Sequence, residues 1–194
     1  MLKTPLMVAI ALVIAFAGGL WSALATLDAT SGLSAIRIGP WEAFPAAQTV
    51  NADPYARAHR ARDGKLLYAS AEGLSFTART DAAGAPLDAA CTYRLAGMAP
   101  PARLWTLFAA PQPDAPSVPA GRPTGLNSRM ILKEADGSFA ITLSAAARPG
   151  NWLALPASGR FTLVFDLFDT PAANSTGISG VPMPELTRLE CGDD

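Results

Sequence analysis

The sequence predicts an all-β domain, a jelly-roll-like β-sandwich with one short helix, set behind an N-terminal apolar helix. Three observations predict it. Apolar residues alternate with polar ones at a period of two in several separate runs, the signature of strands with one buried face. Glycine (16) and proline (17) make up about a sixth of the 194 residues, a share that suits a loop-rich β-protein, while half the residues are hydrophobic, which excludes global disorder. No charged residue interrupts the stretch from Pro5 to Leu27.

That first stretch defines a segment over residues 1–27. Twenty-three residues of helix rise about 34 Å, enough to cross a hydrocarbon core of roughly 30 Å. Lys3 precedes the span and Asp28 follows it, so the positive-inside bias puts the N-terminus in the cytoplasm. The expectation is a bacterial inner-membrane, single-pass anchor with its domain in the periplasm. Ala23-Leu24-Ala25 also fits an A-x-A processing site, which leaves the alternative of a cleaved leader and a soluble periplasmic domain. Leu20, Trp21, Leu24 and Leu27 extend the apolar stretch past signal-peptide length and favour the anchor.

Residues 28–38 read as a linker, and 39–194 as the sandwich domain. Gly39-Pro40 makes a turn before Trp41, an aromatic expected at the domain's edge. Asp53-Pro54 places a capping carboxylate before a proline suited to the first helical position, and Asp63-Gly64 supplies a stop, so the spacing predicts a helix over 54–62. The period then becomes two. Leu74, Phe76 and Ala78 form one apolar row, Phe139, Ile141 and Leu143 a second, and Phe161, Leu163, Phe165 and Leu167 a third. Further strands are expected at 66–70, 91–95, 104–109, 129–134 and 185–189. Asp136-Gly137 suits a type I′ hairpin turn between 129–134 and 138–143, and Asp81 to Gly84 another turn. Residues 110–126 hold five prolines; a connection of that length is functional or mobile, and mobility is the favoured expectation.

Cys91 and Cys191 are the only cysteines and His59 the only histidine, too few ligands for a zinc site, so no metal is expected. In an oxidising periplasm a Cys91–Cys191 disulfide is the economical expectation, against two buried free thiols.

The motifs also line up with a known family. The runs are Ala52 to Ala58, Glu72 to Phe76, Cys91-Thr92-Tyr93, Ala102 to Leu107, Pro149 to Leu153, and Pro184-Glu185-Leu186 leading to Cys191. Together they resemble the domain-of-unknown-function family numbered 1214, in its short form with a single N-terminal span. The resemblance covers about residues 38–191. It implies a jelly-roll-like sandwich and, in larger relatives, an extra partner domain, but no established reaction, cofactor or catalytic residue. Where other members read leucine-arginine-leucine-tyrosine, this chain has Phe165-Asp166-Leu167-Phe168, so no role of that arginine carries over.

Charge and motifs narrow the function classes. The net charge is −1, and without Lys3 the 15 basic residues fall to 14 against 16 acidic ones, which provides no footprint for nucleic acid. A nucleophile elbow and a phosphate-cradling glycine loop are both missing. His59 lies among Arg57, Arg60 and Arg62 without a carboxylate to orient it, and reads as a surface histidine. Those three arginines are a candidate anion or lipid-headgroup patch. Arg103 and Trp105, two apart on an expected strand, should share a face; with Tyr55, Asn151 and Trp152 they form a candidate ligand pocket, set against the commoner role of aromatics as sandwich core. The expectation is therefore a membrane-anchored periplasmic binding or accessory module without cofactors, whose partner is an envelope protein or small ligand. The alternatives are an enzyme acting on a small molecule in a pocket of the sandwich, and a structural envelope component.

Overall fold

The computed structural model describes residues 3–29, 35–45, 52–63, 72–112, 114–173 and 181–192. Helix α1 (Lys3–Ala29) is solvent-facing along its apolar length. Among the described residues it is the one helix long and apolar enough to cross a membrane, a test that an N-terminal signal sequence also passes. Helix α2 (Pro54–Asp63) starts where the capping signal predicts. The Asp53 carboxylate accepts hydrogen bonds from the amides of Tyr55 (2.9 Å) and Ala56 (3.0 Å), satisfying two of the orphan donors of the helix N-terminus, where Pro54 has none to satisfy.

Among the described residues ten strands form two sheets. They are β1 (Ile36–Ile38), β2 (Trp41–Ala43), β3 (Gly73–Ala78), β4 (Cys91–Gly97), β5 (Leu104–Pro111), β6 (Gly125–Asn127), β7 (Phe139–Ser144), β8 (Trp152–Ala154), β9 (Phe161–Phe168) and β10 (Glu185–Cys191). One sheet has the order β1-β2-β3-β9-β5-β6, the other β10-β4-β7-β8. Every pairing is antiparallel except β7 with β8. This is the expected β-sandwich.

The three apolar rows face inward as their period requires. Phe76, Leu107, Leu163 and Phe165 from the larger sheet meet Tyr93, Leu95, Ile141 and Leu143 from the smaller one in a single buried cluster. Aromatic rings join the layers: Trp105 lies 5.2 Å from Phe139 across the sandwich and 5.1 Å from Phe165 beside it. Trp41 is 1% exposed and donates its indole N–H to the Pro184 carbonyl (2.9 Å), so it belongs to the core rather than to the edge where the sequence set it.

Cys91 and Cys191 stand opposite each other in the β4–β10 register and are joined by a disulfide. Beside it, β10 is fixed by an ionic contact. Asp81, almost wholly buried, receives the Arg188 guanidinium at 3.1 Å and accepts from the amides of Ala83 and Ala85, which builds the expected turn over 81–84. Arg188 also lies over the Tyr93 ring.

Four sequence expectations change. The span taken as linker over 28–38 becomes strand at Ile36: β1 pairs with β2, and Arg37 bonds Glu42, its cross-strand partner, at 2.9 Å. Three-residue strands are too short to show a period. Residues 129–134 are not a strand. The ladder to β5 is made by β6 instead, and Asn127 then ends it by accepting the Arg129 amide on its side chain and the Met130 amide on its carbonyl. The turn at Asp136-Gly137 is not type I′, since only Gly137 has positive φ (85°) and type I′ needs it at both central residues. Glu134 bonds Ser138 and accepts from Gly137 around a three-residue loop with glycine in the left-handed position. Strand β8, unforeseen, adds a parallel edge. The strand expected at 66–70 lies outside the described residues.

Candidate functional site

The larger sheet ends in an open groove of about 590 Å³, lined by Arg103, Leu104, Asn127, Arg129, Met130 and Phe168. Its floor follows from strand register. Leu104 begins β5 opposite Phe168, the last residue of β9, and both side chains point to the face away from the core. The chain then reverses at Asp169, the one described non-glycine residue with positive φ (51°), a conformation that aspartate tolerates better than most. The reversal is tied down by the Asp169 amide to the Glu72 carbonyl and by the Arg103 amide to the Phe168 carbonyl. Arg103 reaches the Asp169 carboxylate at 3.4 Å; both are largely exposed, so the pair contributes at most about 1 kcal/mol.

The opposite wall is formed by Arg129 and Met130, which the loop 128–134 carries. Ile131 is buried and anchors it, while Met130 and Leu132 are 64% and 72% exposed. Asn151 holds the loop from outside. Its amide accepts from the Leu132 N–H (2.7 Å) and donates to the carbonyls of Leu132 (2.8 Å) and Ala140 (3.0 Å). The arrangement fixes the backbone of a loop that presents two large apolar side chains and the cations Arg129 and Lys133 to solvent. No carboxylate among the described residues pairs with the Arg129 guanidinium.

Of the five residues expected to form a pocket, only Arg103 lines this groove. Arg103 and Trp105 do not share a face: β5 begins at Leu104, so Arg103 stands before the strand and points to solvent while Trp105 is packed in the core. Asn151 shapes the groove at second hand through Leu132. Trp152 donates its indole N–H to the Ser144 carbonyl on the smaller sheet (3.0 Å), and Tyr55 is half-buried on α2. In the candidate anion patch, Arg57 donates to the Ala52 carbonyl (2.9 Å); the side chains of His59, Arg60 and Arg62 lie outside the described residues. The sequence reading missed Leu104, Asn127, Arg129, Met130 and Phe168. Their available signal was the run Arg129-Met130-Ile131-Leu132-Lys133, whose apolar residues are too many for a turn and whose cations are too many for a core strand.

Hydrogen bonds from the Ser138 side chain, then its amide, hold the Asp136 carboxyl below its ordinary range, an effect of the turn. A second hollow, of about 210 Å³, has Glu42 between Arg37 (2.9 Å) and Arg79 (3.9 Å), so its cations already face a carboxylate. Among the described residues no three His, Cys, Asp or Glu side chains gather as a metal ion requires.

Fold and site together describe a two-sheet sandwich with a filled interior and its open groove at a sheet end. Residues 72–172 match the family described as Protein of unknown function (DUF1214), and the chain belongs to that family. Among solved structures it is similar to the VPA0106 protein from Vibrio parahaemolyticus, at 16% identity and a TM-score of 0.60, covering 91% of this chain and 44% of that one. It also matches an uncharacterised protein from Burkholderia cenocepacia at 16% identity and a TM-score of 0.42, over 94% of this chain and 53% of that one. The first likeness bears on fold alone. The chain spans about half the length of these structures, or less. No curated protein matches it.

Proposed function

We propose that this chain is an exported binding module of the cell envelope, tethered to the inner membrane by α1 with its N-terminus in the cytoplasm. The sandwich works on the outer side and takes a small ligand or envelope partner in the groove at the sheet end, without chemistry on it. The observation that carries the binding reading is the contrast between the interior and that groove. The space between the sheets is occupied by packed aromatic and aliphatic side chains, whereas the groove is open and lined by guanidinium and apolar groups. Export is supported by the uncharged stretch of α1 from Pro5 to Leu27 and by the Cys91–Cys191 bond, which persists in oxidising compartments. Lys3 ahead of the span supports the orientation.

Protease treatment of spheroplasts, combined with intact-mass measurement of the native protein, tests the proposal. The expected result is a domain digested from outside and a chain that keeps α1. A domain protected until the membrane is lysed overturns export. A mass beginning at Thr26 removes the tether and leaves a soluble periplasmic module.

A further inference from the structure

We propose that the groove binds a free single-chain anionic amphiphile, a carboxylate or phosphate monoester on an unbranched apolar chain. This deepens the binding reading above and rests on it. The headgroup sits on Arg129, and the chain lies along Leu104, Phe168 and Met130. Three features converge on that chemistry.

The first is an open cation in the groove. Of the two arginines that line it, Arg103 already faces Asp169, whereas Arg129 has no carboxylate partner among the described residues. A guanidinium offers paired N–H donors that match a carboxylate or phosphate.

The second is apolar surface held in place. Met130, which lines the groove, is 64% exposed although the bonds of Asn151 to Leu132 and the buried Ile131 fix the loop that carries it. Each Å² of such surface left in water forgoes about 25 cal/mol. Methionine is unbranched and polarizable, and adapts to a flexible chain. The third is size: about 590 Å³ lies within the usual range of small-molecule sites and accommodates one chain rather than a bilayer face.

The test uses the full chain in nanodiscs of zwitterionic lipid with isotope-labelled methionine methyl groups. Met130 reports on the groove, and Met98, exposed but not part of it, is the control. Octanoate is expected to shift the Met130 methyl saturably and leave Met98 in place, with octanol and acetate each about tenfold weaker or more. Arg129→Gln, at an exposed side chain, should weaken octanoate about tenfold without changing octanol, and Arg129→Lys should recover part of the loss. A Met130 signal unmoved by octanoate overturns the proposal. Equal affinity for octanol and octanoate, or no effect of Arg129→Gln, also overturns it and leaves only the general binding reading. A shift in discs of anionic phospholipid, with nothing added, makes the surface a membrane contact and likewise overturns it. Export is judged by protease and mass, so either proposal can fail alone.

Discussion

Replacing both cysteines with alanine separates what the Cys91–Cys191 bond does to the unfolded chain from what it does to the fold. The bond spans 100 residues, and closing a loop of that size removes denatured-state entropy equivalent to about 4.7 kcal/mol in the chain-entropy treatment. On the native side β10 has other holds. It pairs with β4 from Glu185 to Cys191, the preceding Pro184 carbonyl accepts from Trp41, and Arg188 meets buried Asp81. The sandwich should therefore survive the change with its topology intact and lose about 3–5 kcal/mol, partly through the cavity left by the buried Cys91 sulfur. Guanidinium titration of the full chain in micelles, followed by tryptophan fluorescence, measures this. The slope should rise as well, because an uncrosslinked denatured chain exposes more surface. Titrating the native protein with and without reductant keeps both sulfurs and isolates the entropic part. Coincident midpoints for the oxidised and reduced protein would refute the reasoning. So would β10 amides that lose exchange protection on reduction without denaturant, since the bond would then be holding the native edge itself.

Other perturbations have equally definite outcomes. Gly73→Ala should cost about 2–3 kcal/mol by denaturant midpoint, because a Cβ there runs into the Leu167 carbonyl, backbone that cannot move without parting β3 from β9. Asn151→Ala should cost about 1–2 kcal/mol and speed hydrogen exchange at the Leu132 amide, while β7 amides stay protected. For Asp136 the folded carboxyl is held below its unfolded value of 3.8. Its contribution is therefore complete above that value and is lost as pH falls through the folded value, and an NMR titration of Asp136 should show the lower midpoint, which Ser138→Ala moves part of the way back because the amide bond remains.

The sequence was legible where a period repeats. Six-residue rows such as Leu74 to Arg79 and Phe139 to Ser144 report their inner face, and Asp53-Pro54 its cap, because each signal is complete within the segment. Strands of three residues, β1, β2, β6 and β8, have no room for a period and exist through their partners. The groove was hidden for a related reason. Arg103 and Trp105 differ in exposure because the Arg103 amide bonds Phe168 across the sheet, and no local pattern states where a strand's first residue falls. Met130 and Leu132 resemble strand residues until Asn151, some twenty positions later in the chain, is known to take Leu132's backbone bonds.

Strand β9 has a consequence for the order in which the domain can be assembled. Strands β3 and β5 are never neighbours; they are joined only through β9, which lies between them in space but after both in the chain. A chain emerging N-terminus first therefore holds the two halves of its larger sheet apart until residues 161–168 arrive. Contacts of such sequence separation are slow to form, and the waiting strands present unpaired edges meanwhile. Assembly of the larger sheet is thus deferred until β9 is available, so that a single late strand closes both halves at once.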